Sequence, residues 1–459
     1  MRNMTLSRVA QVVDGKLILP EGSEALKDKE IMGAVNDNRK VEKDFLFIPM
    51  VGARVDGHDF IEDAFSKGAL ASLAEHELEK CSGPYIVVKD TKIALKQIAT
   101  AYRMELTIPV VGVIGSVGKT STKEMITSVL STKFNVLKTE GNFNNEIGLP
   151  LTICRIKDEH QVAVVEMGIS DFGEMHRLGD IAKPDMVVMT NIGQCHLEFL
   201  KDRDGILKAK TEVFEHMPES GTVILNGDDD KLAGADTLGL KKVFYGLNGQ
   251  EINATDVVAD GISATKAVIS IDGEKIDVTI PLPGNHNVAN ALAAAAVGNE
   301  LGLSGEDIKK GLEGAGTIAG RNNVITVRGI TIIDDCYNAN PVSMKASIEV
   351  LGKAAGRTIA VLGDMGELGA DERKLHYEIG QALEDNHIGY AFTAGELSEE
   401  INNALNQKNS SCMAHHYSDV DAMLQDLLPI VRTGDTILVK ASHFMQFGRV
   451  VEALKARFE

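Results

Sequence analysis

The sequence predicts an α/β protein of three domains, the second built around a nucleotide-binding phosphate loop. Three observations carry that prediction. The chain has 459 residues, more than the roughly 250–300 at which a single core stops growing. From about residue 109 onward, short apolar runs alternate with helical patterns, the rhythm of parallel sheets covered on both faces. Between one such run and an amphipathic stretch stands "GSVGKT", residues 115–120.

The first domain, 1–108, opens on a short amphipathic helix in "MRNMTLSRVAQVVDG", which turns polar too soon for a signal peptide. It contains β-rich runs such as "DFLFIPM" (44–50) and ends in a helix over 91–106, stopped before Pro109. The second domain, 109–318, has buried-strand patterns at 110–114, 162–167, 186–190 and 222–226, a weaker β-like stretch over 242–283, and an Ala-rich helix from Asn285 to Leu301 closed by Gly302. The third, 319–459, repeats the rhythm with strands at 330–335, 358–364, 390–395 and 436–442, predicting a second parallel sheet. The Gly-rich "GAGTIAGRNN" (314–323) reads as a hinge between them.

Composition sets limits. A hydrophobic content of 44% fits a folded globular chain. No apolar run approaches the roughly 20 residues that span a bilayer, which predicts a cytoplasmic protein without membrane insertion. The net charge of −19 argues against nucleic acid as a partner. Five scattered cysteines without a C-x-x-C predict reduced thiols.

"GSVGKT" is shorter than the common phosphate loop, because the first glycine stands at Gly115 rather than at position 113. The physical requirements are still met. Gly115 and Gly118 let the backbone of Ser116 and Val117 turn its N–H groups inward, and a helix starting near Lys119 adds its positive dipole end. Lys119 reaches phosphate and the Thr120 hydroxyl ligates Mg²⁺, with Ser121 beside them. Met125, Ile126, Val129 and Leu130 share one face of that helix.

Other residues admit two readings each. Glu166 ends a strand, as a surface carboxylate or as a Mg²⁺ ligand. His196 in "NIGQCHLEFL" is a loop histidine or a ligand. In "GILKAKTEVF", Ile206, Leu207, Val213 and Phe214 form one helical stripe with Lys210 in its middle. That lysine either snorkels to water or stands neutral and reacts with CO₂ to give a carbamate. Asn142, Asn144 and Asn145 in "GNFNNEIGLP" are turn formers or substrate contacts. Asn287 and Asn290 cap their helix or hold a ligand. Asn340 and Pro341 form a helix start, with Asp335 at the preceding strand end.

The short loop, with these motifs in order along essentially the whole chain, resembles the Mur ligase family, the ATP-dependent amide-bond ligases of peptidoglycan precursor synthesis. The resemblance implies an N-terminal UDP-sugar domain, a central ATPase and a C-terminal Rossmann-like domain. It implies that Glu166, His196, Thr120 and a carbamylated Lys210 hold two Mg²⁺ ions, and that Asn287 and Asn290 contact adenine. It gives Arg321 a γ-phosphate role, and Asp335 and Asn338 places near the ribose and phosphates. "DDCYNANP", "GNFNNEIG", "NDNRKV" and "VDGHDFI" are similar to the subgroup that uses D-alanyl-D-alanine, which places Asn38, Arg39, Asn142, Asn144 and Asn145 on the UDP-peptide substrate.

Three departures stand out. Asn38 and Cys336 replace serines, and "VKASHFM" (439–445) has Ala441 for glycine and His443 for arginine. Lys440, Ser442 and His443 belong to the segment near the incoming amine, where a fixed charge has become a titratable one. The implied reaction is ATP-driven joining of D-alanyl-D-alanine to a UDP-N-acetylmuramoyl-tripeptide through an acyl phosphate, by a monomer whose third domain closes onto the second. Lys119, Glu166, His196, Lys210 and Arg321 carry the catalysis. The alternatives are an amide ligase adding the third peptide residue, a folylpolyglutamate ligase, or a non-catalytic nucleotide-binding regulator.

Overall fold

A computed structural model describes residues 1–407 and 410–458. Three sheets follow one another along the chain. The first holds β1 (Lys16–Ile18), β2 (Gly33–Val35), β3 (Phe45–Phe47), β4 (Ala71–Ala74) and β5 (Tyr85–Val87), in the order β1-β5-β4-β3-β2. These strands have three or four residues, too few for alternation to show in the sequence. The helix Thr91–Glu105 follows, its first turn capped by the Asp90 carboxylate accepting from Lys92 and Ile93 N–H.

The central sheet comprises β6 (Val110–Ile114), β7 (Val136–Lys138), β8 (Val162–Glu166), β9 (Met186–Met189), β10 (Thr222–Asn226), β11 (Lys241–Gly246), β12 (Ile252–Asp260), β13 (Ala264–Ile271) and β14 (Glu274–Ile280). Its order is β14-β13-β12-β11-β10-β9-β6-β8-β7. The pairs from β7 to β12 are parallel, and β12, β13 and β14 form an antiparallel meander. β6 lies between β8 and β9, so the chain leaves it toward one side and later returns on the other. Such a switch point opens a crevice at the C-terminal strand ends. The helix Lys119–Leu130 buries Met125, Ile126, Val129 and Leu130, as its pattern predicts. The helix Asn285–Glu300 packs against it through a fully buried run, Ala291–Val297, and Gly302 beyond its end has φ +72°.

The third sheet runs β15-β16-β20-β17-β18-β19, with β15 (Asn323–Val327), β16 (Ile330–Asp334), β17 (Arg357–Gly363), β18 (Tyr390–Ala394), β19 (Met413–Tyr417) and β20 (Asp435–Lys440). It is not wholly parallel, which corrects the sequence reading: β15 pairs antiparallel with β16. The two-residue turn Arg328-Gly329 has φ of +39° and +86°, a tight hairpin connection. The helix Pro341–Gly352 starts with Asn340 and Ser343 in a reciprocal capping box and proline in its first turn. No helix among the described residues is long and apolar enough to cross a membrane.

Candidate active site

The phosphate loop leaves β6 at the switch point. Gly118 has φ +84° and immediately precedes the helix Lys119–Leu130. At Gly115 any side chain is excluded, since a Cβ would stand 1.9 Å from Thr190 Oγ1. Asn191, after β9, braces the loop from outside, accepting from Val117 N–H at 3.0 Å and donating to Val117 O at 3.1 Å. Gly115→Ala is therefore expected to displace the loop and abolish nucleotide binding while the chain still folds. Calorimetric titration with ADP checks this.

Two lysines converge on one loop carbonyl. Lys119 Nζ donates to Gly115 O at 2.9 Å, and Lys210 Nζ donates to the same oxygen at 3.2 Å. Lys210 does not snorkel. It is 1% exposed, on the helix Arg203–Thr211 with Ile206, Val213 and Phe214 buried around it, while Lys208 faces out. Burial, with some repulsion from Lys119, pushes its ammonium down to about 8.

Thr120 Oγ1 donates to Glu166 Oε2 at 2.8 Å, and Asn144 Nδ2 donates to Glu166 Oε1 at 2.8 Å. Glu166, at the end of β8, is buried, and its N–H donates to Thr139 Oγ1 at 3.0 Å. A buried hydroxyl and carboxylate side by side form an oxygen donor set suited to a hard cation. His196 borders the same cleft with φ +52°. Its Nδ1 lies 2.5 Å from Glu367 Oε2, yet off hydrogen-bonding direction, leaving that buried nitrogen without a partner. Burial holds the imidazole below its ordinary range, against the pull of Glu367. Glu367, itself at φ +61° after β17, was not legible in the sequence, because only the docking of the third sheet's loops brings it to His196.

The opposite wall comes from the third sheet. Together the two walls enclose a cleft of about 610 Å³. Arg321 stacks over the Tyr337 ring at 4.1 Å, and both border the cleft. Asp335 accepts from Lys440 Nζ and Ser347 Oγ at 2.6 Å each and from Asn322 N–H at 3.0 Å. Lys440 also donates to the Asn338 carbonyl at 3.0 Å. Lys440→Ala would leave Asp335 buried and unpaired, with an expected loss of roughly 3–5 kcal/mol, measurable by denaturant unfolding.

Several predicted residues sit elsewhere. Neither Asn287 nor Asn290 caps its helix, whose N-cap is Gly284. Instead Asn290 accepts from Thr122 Oγ1 at 3.0 Å and donates to Asn287 Oδ1 at 3.1 Å, tying the Ala-rich helix to the phosphate-loop helix. Asn290 borders the cleft and Asn287 stands behind it. Ser442 accepts from Gly366 N–H at 2.9 Å, and His443 is exposed, edge-on to Tyr337, so neither borders the cleft. Ala441 packs on Gly363, where any Cβ would come within 2.8 Å of its own. Cys336 donates to Asp334 Oδ1 at 2.9 Å, as a serine would, and burial pushes its thiol up to about 12. Among residues the sequence reading passed over, His286, Thr190, Asn191 and Tyr337 border the cleft.

Asn38 and Arg39 border a second cleft, of about 1320 Å³, between the first sheet and the central domain. Asn38 donates to Asp63 Oδ2 at 2.6 Å, and Arg39 reaches solvent beside Asp37. The Asn-rich loop runs between the two clefts: Glu140 and Phe143 face the larger, and Asn142, Asn144 and Asn145 the smaller. Asn145 also accepts from Ile147 and Gly148 N–H, so it forms a turn as well.

Comparison with known proteins bears on this geometry. Residues 30–112 match the Mur ligase family catalytic domain, 113–298 the Mur ligase middle domain and 320–443 the Mur ligase glutamate ligase domain. The chain is 38% identical over 460 residues to the UDP-N-acetylmuramoyl-tripeptide–D-alanyl-D-alanine ligase of Bacillus subtilis, covering 99% of each. The chain belongs to the Mur ligase family. Among solved structures, this Mur ligase is similar to MurF from Acinetobacter baumannii, with TM-score 0.89, 30% identity and 99% of each chain covered. It is also similar to the MurF ligase of Thermotoga maritima in complex with ADP, with TM-score 0.83, 30% identity, and 94% of this chain and 99% of that one covered.

Proposed function

We propose that this Mur ligase joins D-alanyl-D-alanine to UDP-N-acetylmuramoyl-tripeptide, with ATP converted to ADP and phosphate. The observation that carries the reading is the meeting of Lys119 and Lys210 on Gly115 O beside the Thr120–Glu166 pair. Its relatives, matched end to end, bear the name of that reaction. ATP occupies the cleft of about 610 Å³, its phosphates on the loop 115–121 and its ribose end toward Asn290, Asp335 and Asn338. Asn287 supports adenine binding through Asn290. The UDP end of the precursor lies in the larger cleft by Asn38 and Arg39, and its peptide passes the Asn142–Asn145 loop toward Glu166.

The tripeptide's terminal carboxylate attacks the γ-phosphorus, the β,γ-bridging P–O bond breaks, and ADP departs. The amine of D-alanyl-D-alanine then attacks the acyl carbon, the C–O bond to phosphate breaks, and the amine loses its proton. Lys119 and Arg321 neutralise charge on the transferring group, and the fixed loop aligns it, so that most of the work is positioning. Thr120, Glu166, His196 and the modified Lys210 would hold magnesium, which would supply Lewis-acid stabilisation of the phosphoryl oxygens. The Thr120 and Glu166 oxygens, side by side at the loop, fit that group. The acceptor dipeptide enters from the side of Lys440, Ser442 and His443. The protein works as a cytoplasmic monomer without nucleic-acid partners, in units divided near residues 108 and 318, the third closing about 314–323.

Lys210 carries a carbamate in the active enzyme. Its neutral amine attacks CO₂, forms an N–C bond and releases one proton, leaving an anion beside Gly115 and Lys119. Only the neutral amine reacts, and its share grows as pH rises through about 8. Enzyme freed of CO₂ at low pH should regain activity on adding bicarbonate, faster at higher pH. Recovery indifferent to bicarbonate would contradict the modification. The reading as a whole is tested by phosphate release from purified enzyme. Release should require ATP, the tripeptide precursor and D-alanyl-D-alanine together, and release without the dipeptide, or with glutamate in its place, would overturn it.

A further inference from the structure

A second cluster of ligating groups lies outside the cleft. His176 is in the first turn of the helix Glu174–Ala182, and Glu215 and His216 end the 3₁₀ turn Glu212–His216. That turn directly follows the helix carrying Lys210. His176 Nδ1 lies 3.1 Å from His216 Nε2 and 3.2 Å from Glu215 Oε2, and all three donor atoms fall within 4.8 Å of one another. Ligands about 2.0–2.1 Å from a tetrahedral ion stand about 3.3 Å apart, so the two spacings from His176 already suit one.

With both imidazoles neutral, His176 Nδ1–H can be shared between Glu215 Oε2 and a bare His216 Nε2. A cation accepting a lone pair from each atom would take the place of that shared proton. The backbone is held ready without any ion, because the Glu212 carboxylate accepts from Gly173 and His176 N–H. Gly179 lets the His216 ring lie against the helix, where a Cβ would come within 2.8 Å of the ring. Asp180 Oδ1 stands 3.9 Å from His216 Nδ1, beyond hydrogen-bonding distance, and accepts from Lys183 Nζ at 3.0 Å.

We propose that His176, Glu215 and His216 bind a borderline divalent cation, of the zinc class. Two imidazoles and one carboxylate suit Zn²⁺ or Co²⁺ rather than the oxygen-seeking Mg²⁺ of nucleotide sites. Three protein ligands leave a position for water. The ion ties the turn after Lys210 to the helix Glu174–Ala182, so it stiffens the support of that lysine without entering the reaction.

The test uses the full chain without a histidine tag, stripped by chelator and kept in excess Mg²⁺ with ADP so that the nucleotide site is filled. Calorimetric titration with Zn²⁺ should show one ion per chain and a raised Tm, and Co²⁺ should give the visible bands of a tetrahedral site. His176→Ala and His216→Ala should each weaken Zn²⁺ binding at least about tenfold. These positions are exposed or half-buried, so the variants should fold. Zn²⁺ bound equally well by the double variant His176→Ala/His216→Ala, or not bound by the unaltered chain, overturns the proposal.

Discussion

Lys210→Ala should lower turnover by roughly 10²–10³-fold or more, the scale seen when a group stabilising transition-state charge is removed. Added formate or acetate should partly restore it. The lysine has no route to solvent: it is 1% exposed, and its amine ends on Gly115 O. An amine buried beside a second cation, Lys119, is poorly placed as a charge and well placed as a nucleophile toward CO₂. On the proposed reading, alanine leaves a cavity where the carbamate would stand, and a small carboxylate can enter it and return the anion. Initial rates of phosphate release with and without formate measure both halves. A variant with near-normal rates would remove the carbamate from the account, and a dead variant insensitive to formate would reduce Lys210 to a packing role.

Lys119→Ala should abolish acyl phosphate formation, with turnover down by roughly 10³-fold. Its amine folds back on Gly115 O and Ser116 O at 2.9 and 3.4 Å. On the proposed reading, releasing those carbonyls lets it reach the phosphates. Asn191 and Gly118 hold the loop independently of the lysine, so the protein should keep its stability while losing the reaction. ATP consumed at an ordinary rate by this variant would mean that the loop does something else. Equal unfolding midpoints would show that the loss is chemical.

Much of this was legible in the residues. The apolar runs of β6, β8, β9 and β10 stand at or within a residue of their predicted bounds, because buried parallel strands carry their signal in composition alone. Lys210 was legible because a lysine in the middle of an apolar stripe contradicts its surroundings. The rest depended on distance in space. Glu367 lies 171 positions beyond His196, and nothing local marks it. β16 was read as a strand, but β15 before it was passed over although "VRGI" carries a turn glycine, since β15 is only half-buried and lacks a clear apolar face. Asn287 and Asn290 looked like caps because they share one face of a helix start. The structure uses them sideways, to bind that helix to the one behind the phosphate loop.

Isotope transfer tests the central claim most directly. The tripeptide precursor is prepared with ¹⁸O in its terminal carboxylate and turned over with unlabelled ATP and D-alanyl-D-alanine, and the released phosphate is analysed by mass. If the carboxylate attacks the γ-phosphorus in the cleft above Gly115 and Lys119, each phosphate carries one labelled oxygen. Phosphate without label would mean that water, not the substrate, meets the nucleotide, and the ligase mechanism would fail.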